Sequence, residues 1–98
     1  MAITTVIAAT TDAIATRVQF NTSGLRDAVG FTAAGLAGVE KITPWIGGPN
    51  GWTGIYEDGV QVFLTVTSPQ ISVLPGGHYG FTKDETASPT SLAAIITA

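Results

Sequence analysis

The sequence predicts an all-β protein: a single small β-sandwich of about eight short antiparallel strands, with an immunoglobulin-like or jelly-roll-like arrangement. Segments rich in threonine, valine, isoleucine and aromatic residues recur along the chain, and these residues favour strands. Turns containing glycine or proline separate them at intervals of roughly 8–12 residues, a spacing typical of sandwiches and barrels. The 98 residues suffice for one domain, and without cysteine no disulfide stabilises it.

The first segment leaves two alternatives open. Residues 3–9 are apolar and rich in threonine, which suits either a strand or an extended arm. We therefore expect residues 1–15 to be an N-terminal arm or the first strand, and residues 16–98 to be the sandwich domain. The other predicted strands cover residues 16–20, 25–33, 39–46, 52–57, 60–67, 71–74, 78–83 and 91–97. Pro44 indicates an edge strand or a bulge, because proline cannot donate to a sheet ladder.

The most specific local signal is the pair Asp58-Gly59 between two strand-like runs, which predicts a two-residue type I′ hairpin turn. Glu57 then lies opposite Val60, and the same register continues to Trp52 opposite Thr65. One face of this hairpin carries apolar residues expected in the core: Ile55, Val60, Val62, Leu64 and Val66. The other face carries Trp52, Tyr56 and Phe63 between polar residues.

This aromatic face has three possible coverings. The loop Gly47–Gly51 or the N-terminal arm could fold over it within the same chain. A second subunit or partner could cover it, since tryptophan and tyrosine are enriched at interfaces. Aromatic rings also stack on the rings of sugars, so the face could bind a carbohydrate.

Few residues suggest chemistry. His78 is the only histidine, it follows a Gly-Gly turn, and no GxSxG motif accompanies it, so we expect an exposed turn residue. The neighbouring acids Glu57-Asp58 on a strand point to opposite faces and cannot form a convergent pair. Asp84-Glu85 lacks the pattern of a calcium loop. We therefore predict no catalytic residue, no cofactor site, no metal site and no enzymatic activity.

Charge and hydropathy limit the partners. The four basic residues are scattered, so we expect no binding of nucleic acid. No apolar run reaches the roughly 18 residues of a membrane span, and no basic segment precedes the first apolar run, so neither a membrane segment nor a signal peptide is expected. Charged residues make up 11% of the chain, against about 25% in typical soluble domains. Either threonine keeps the surface wettable, or other subunits bury much of it.

The chain resembles small virion proteins of tailed bacteriophages, above all capsid decoration (cement) proteins. The resemblance covers most of the chain and consists of short sequence segments, none of which is a catalytic motif. They are Val18-Gln19-Phe20, the segment LAGVEKI at 36–42, DGVQV at 58–62, PGGHYGF at 75–81 and a late strand of alanine and isoleucine.

This resemblance implies a non-enzymatic structural protein on the capsid surface, made in the host cytoplasm. Its implied partners are the major capsid protein and copies of itself in a homotrimer, with no nucleic acid and no membrane. Trp52, Tyr56 and Phe63 are the expected interface, and Ile3, Val6 and Ile7 are the expected contacts of a docking arm. The alternative is a head-fibre, tail or carbohydrate-binding sandwich module that recognises a host glycan or a partner protein with the same aromatic residues.

Overall fold

A computed structural model describes residues 2–48, 51–74 and 76–96, and it confirms the predicted all-β class. Two four-stranded antiparallel sheets pack face to face, and a short hairpin projects from one of them. The strands are β1 (Ala2–Thr10), β2 (Ile14–Asn21), β3 (Val29–Ala34), β4 (Ile42–Gly48), β5 (Gly51–Gly54), β6 (Tyr56–Glu57), β7 (Val60–Gln61), β8 (Gln70–Val73), β9 (His78–Lys83) and β10 (Thr90–Ile96).

Sheet A has the strand order β1-β10-β3-β8, and sheet B has the order β2-β9-β4-β5. Alternate residues of each strand point inward and form one core between the sheets. At its centre the ring centroids of Phe31 from sheet A and Phe81 from sheet B lie 4.7 Å apart. The other buried apolar residues are Ile7, Val29, Ala33, Ile42, Leu64, Val73, Tyr79, Leu92 and Ala94.

Buried polar side chains close both ends of the sandwich. At one end Lys83 is 4% exposed, and its Nζ donates to the carbonyl oxygens of Asp12 at 2.8 Å and Asp84 at 3.0 Å. At the other end Thr22 is fully buried, and its Oγ1 accepts a hydrogen bond from the Gly77 amide at 2.8 Å. These bonds satisfy polar groups that would be costly to bury alone, and they tie the chain between strands to the sheets.

Residues 2–10 form strand β1, which pairs with β10 at the edge of sheet A. The three residues expected to be arm contacts differ in exposure. Ile7 is 3% exposed and belongs to the core, Val6 packs partly against the core, and Ile3 is 67% exposed. On this chain, therefore, only Ile3 presents most of its side chain to a partner.

The predicted hairpin turn is confirmed, with φ of 53° at Asp58 and 81° at Gly59. Glu57 pairs with Val60, and the Val62 amide donates to the Ile55 carbonyl at 2.7 Å. Beyond that pair the predicted register is wrong. Residues 51–54 pair instead with β4, where Gly54 lies opposite Trp45.

Pro44 gives the physical reason for this break. Ile42 exchanges two backbone hydrogen bonds with Leu64, at 3.0 and 2.9 Å, so its polar groups point toward the edge of the sheet. Pro44, two residues later, faces the same edge but has no N–H to donate. The ladder is interrupted there, and residues 55–63 leave the edge as a projecting hairpin.

The break also corrects the predicted core positions of the hairpin. Leu64 is fully buried as expected, but Val60 is 69% exposed and Val66 is 49% exposed. Ile55 is only partly buried against the core. Because the hairpin stands away from the sandwich, its alternation does not place one whole face in the core.

Candidate functional site

The outer surface of sheet B, which we name face B, carries the most distinctive side chains of the protein. The strand registers place one set of alternate residues on this surface. They are Arg17, Gln19 and Asn21 of β2, His78, Gly80 and Thr82 of β9, Thr43, Trp45 and Gly47 of β4, and Trp52 and Gly54 of β5. The aromatic residues and the glycines alternate across neighbouring strands, so rings can lie on bare backbone.

Trp52 packs against two of these glycines. A Cβ atom added at Gly47 or at Gly80 would lie 3.1 Å from Cζ3 of the Trp52 indole. This separation is tighter than ordinary van der Waals contact, so only glycine allows the ring to lie so close to the sheet. The edge of the six-membered indole ring therefore packs on backbone, and the side chain is half-buried.

Arg17 lies beside Gly80 and close to both tryptophans. Its guanidinium carbon lies 5.1 Å from the centre of the Trp45 ring and 5.4 Å from the centre of the Trp52 ring. Each distance is within the range of a cation–π interaction. The Nε atom of Arg17 is buried and has no hydrogen-bond partner among the described residues. Among the described residues the one ion pair joins Lys41 Nζ to Asp84 Oδ2 at 3.8 Å. None of the described carboxylates therefore neutralises Arg17.

Two further contacts order the site. The Trp45 indole Nε1 donates a hydrogen bond to Thr82 Oγ1 at 3.0 Å. The His78 ring meets the Trp52 ring edge-on, with centroids 5.2 Å apart. His78 is exposed, as the sequence predicted. The rings, the guanidinium and the imidazole thus form one connected array.

Beside this array lies a depression of about 430 Å³, lined by Gln19, Gly47, Gly51, Trp52 and His78. It combines an aromatic ring with an amide and an imidazole that can donate or accept hydrogen bonds. Strands β2, β9, β4 and β5 contain no aspartate or glutamate, so the formal charge on face B comes from Arg17. The site can stack a ring, form hydrogen bonds at its edge and attract negative charge.

The outer surface of sheet A, named face A, differs in composition. Its outward residues are Ile3 and Thr5 of β1, Ser91, Ala93 and Ile95 of β10, Gly30, Thr32 and Ala34 of β3, and Gln70 and Ser72 of β8. No charged residue occurs anywhere in these four strands. Face A is therefore an uncharged surface, with Ile3 and Ile95 as its large apolar members and a depression of about 300 Å³ at Gly30.

The three aromatic residues of the predicted interface occupy three different surroundings. Trp52 lies on face B. Tyr56, which is 60% exposed, lines a groove of about 400 Å³ with the exposed side chain of Leu74. Phe63 packs beside Lys41, whose Nζ is 5.3 Å from the ring centre. The expectation that they share one face depended on the extended hairpin register and fails with it.

Two segments of the chain were predicted to cover the aromatic face: the loop Gly47–Gly51 and the N-terminal arm. The loop Gly47–Gly51 includes Pro49 and Asn50, which lie outside the described residues. The N-terminal segment does not cover face B, because β1 is hydrogen-bonded into sheet A.

Sequence reasoning missed Arg17, Gln19, Trp45 and the two glycines as parts of one site. A signal was present, since Arg17 and Gln19 alternate with the apolar residues Val18 and Phe20. Gly80 likewise lies between two core residues of β9. However, alternation assigns residues to a face without naming the neighbouring strand, and only the sheet order brings these residues together.

Within residues 2–48, 51–74 and 76–96, no three His, Cys, Asp or Glu residues lie close enough to hold a metal ion. Over the same ranges, no helix has the length and hydropathy to cross a membrane. Comparison with protein-family models, curated proteins and solved structures finds no match for this chain.

Proposed function

We propose that the protein is a non-enzymatic structural protein of a bacteriophage virion that decorates the capsid surface and stabilises the shell. It binds the major capsid protein, assembles as a homotrimer and is made in the host cytoplasm. The observation that carries the proposal is the absence of charge from all four strands of face A. Surfaces that face water are normally rich in charged residues of both signs, whereas the centres of interfaces are depleted of them.

The edge of sheet A supports the same proposal. Strand β1 is the last strand of the sheet, and Ala2–Thr5 pair regularly with β10 while their other edge pairs with no described strand. Natural proteins usually protect such edges with charged residues or proline, and β1 has neither. A strand of a capsid subunit or of a second copy can therefore add to this edge through backbone hydrogen bonds. Ile3, which is 67% exposed, lies at the junction of this edge with face A.

Shell stabilisation requires many weak contacts and no chemistry. A decoration protein engages its shell at several sites at once, so modest individual contacts combine into strong attachment. An uncharged surface suits this role because its burial removes no charge from water.

The first test is mass spectrometry of purified particles of the phage that encodes the chain. We expect the protein in stoichiometric amounts with the major capsid protein, and its absence from intact particles would contradict the proposal. The second test adds purified protein to particles that lack it. Thr5→Glu places a carboxylate on the β1 edge and should abolish attachment. Thr16→Glu makes the same change at an exposed residue of β2 and should leave attachment intact.

A second candidate function is supported by face B. The depression beside Trp52, with Gln19 and His78 at its rim, has the composition of a shallow sugar-binding site. This favours a module that recognises a glycan, either in place of the structural role or in addition to it. Glycan binding by the isolated chain, lost in Trp52→Ala, is the result expected for this candidate.

A further inference from the structure

We infer that face B binds an acidic sugar, a pyranose of the uronic-acid class, with its ring on Trp52 and its carboxylate directed to Arg17. The inference rests on the second candidate function and gives it a ligand class. It does not depend on the virion proposal, because face A and face B lie on opposite sides of the sandwich.

The stacking surface is rigid before any ligand arrives. Trp52 rests on the backbone of Gly47 and Gly80, so close that a Cβ atom added at either glycine would lie only 3.1 Å from Cζ3 of the ring. A ring that is already immobilised loses little side-chain entropy on binding, which favours affinity at a small site. The apolar C–H surface of a pyranose matches such an indole in size and shape.

The charge of the site selects an anion. Arg17 lies within about 5 Å of the ring centres of Trp45 and Trp52, has no carboxylate partner among the described residues, and leaves its buried Nε unpaired. The chain as a whole has a net charge of -3, yet the strands of sheet B contain none of its acidic residues. A guanidinium without a partner binds carboxylate through charge-assisted hydrogen bonds, about twice as strong as neutral ones.

The hydrogen-bonding groups fit the rest of a sugar. Gln19 and His78 line the depression beside Trp52. An amide and an imidazole both donate and accept, as ring hydroxyl groups require. The depression is open and about 430 Å³ in volume, which accommodates one or two sugar residues of a longer chain.

The experiment is a titration of the whole chain with oligosaccharides of galacturonate and of mannuronate, each compared with its methyl ester. The ester removes the negative charge and keeps the pyranose ring, so it isolates the contribution of Arg17. The chain has two tryptophans, and their indole N–H resonances in NMR spectra report binding at Trp52 and Trp45 separately. At low salt we expect an acid form to bind about tenfold or more tighter than its ester, with the preference shrinking as salt screens the charge.

Two variants test the assigned roles. Arg17→Gln should lower the affinity for the acid to that of the ester and leave ester binding nearly unchanged. Trp52→Ala should abolish both, whereas Thr5→Glu on face A should change neither. Unfolding by urea, followed in parallel, identifies any variant that has lost its fold, and Trp52→Phe provides a ring-preserving replacement in that case.

Three outcomes overturn the inference in distinguishable ways. Equal affinity for acid and ester would exclude acidic sugars as the preferred ligand class but would still support a glycan-binding module. No binding of either form would remove the glycan-binding function as well. Protection of Trp52 by added capsid particles, without any saccharide binding, would make face B a protein contact.

Discussion

Face A and face B belong to sheets of equal strand number, yet they carry opposite chemistry. Each has a glycine on an inner strand, Gly30 on face A and Gly80 on face B. Around Gly30 lie uncharged residues, and the nearest atom to an added Cβ would be Ile95 Cβ, 3.9 Å away. Around Gly80 lie an arginine and a tryptophan, at 3.0 and 3.1 Å. Similar backbone thus supports an uncharged surface on one side and an array of aromatic, guanidinium and imidazole groups on the other.

The difference teaches that the outer faces are not needed to build the sandwich. Both inner faces present the same kind of apolar residue to one core, which accounts for the fold. The outer faces are free to differ, so their differences carry information about partners. An uncharged face suits a large protein contact, whereas an arginine held close to two indoles suits a small anionic ligand.

The largest expected effect shows where the two sheets are alike. Phe31→Ala and Phe81→Ala each remove a ring that is at most 1% exposed, from sheet A and sheet B respectively. Each should cost about 3–5 kcal/mol of unfolding free energy, since a cavity remains. Urea denaturation measures the cost, with Phe→Leu replacements if the alanine variants do not fold. A cost below about 1 kcal/mol for either ring would show that the core does not join the sheets as described.

Alanine substitutions at Gly80 and Gly30 compare the two faces directly. Gly80→Ala forces Arg17 or Trp52 to move by a few tenths of an ångström and should destabilise the protein by about 1–2 kcal/mol. Gly30→Ala places its Cβ in ordinary van der Waals contact with Ile95, 3.9 Å away, at ordinary φ, and should be neutral or stabilising by up to about 1 kcal/mol. Urea denaturation of both variants gives the comparison. Equal effects would mean that Trp52 does not lie on the sheet.

Tyr79 links the sheets, and its titration predicts a pH effect. Its hydroxyl donates to the carbonyl oxygen of Leu74, just after β8, at 3.2 Å. Burial raises the pKa of Tyr79 above 10.0, so the folded state favours the neutral phenol. This stability is complete below the unfolded pKa and is lost as pH rises through the folded pKa.

Denaturation at a series of alkaline pH values, with Tyr79→Phe as the comparison, checks this effect. Tyr79→Phe should cost about 1 kcal/mol near neutral pH, because it removes one hydrogen bond. Above about pH 10 the variant should lose less stability than the parent chain. Parallel pH profiles for the two proteins would argue against a buried phenol.

Lysine substitutions on the outer faces should have the smallest effect on folding, but one of them should have the largest effect on association. Thr32→Lys on β3 and Thr43→Lys on β4 place the same charge at half-buried central positions of face A and face B. Both should change the unfolding free energy of the monomer by less than about 0.5 kcal/mol, because the lysine ammonium can reach water. Sedimentation equilibrium over a dilution series should show a trimer for the parent chain and for Thr43→Lys, and a monomer for Thr32→Lys. A monomeric parent chain would remove self-association through face A.

Local patterns predicted much of the architecture. The alternation of apolar and polar residues indicated the sheets, and Asp58-Gly59 indicated a turn in which two successive residues have positive φ. The register of the hairpin could be predicted only for the pairs next to that turn. Farther from the turn, residues 51–54 pair with β4 instead of with the second strand of the hairpin. Pro44 interrupts the ladder on that edge of β4.

By itself, the sequence determined the all-β class, the hairpin turn and the absence of charge from the segments that became face A. These properties depend on residues close together in the chain, where sterics and periodicity act directly. Tertiary structure alone decided that Arg17, Trp45, Trp52 and His78 meet on one face. They come from four strands, and their meeting depends on which backbone edges pair across long stretches of chain. Pairing energies are summed over whole strands, so no short segment specifies its neighbour.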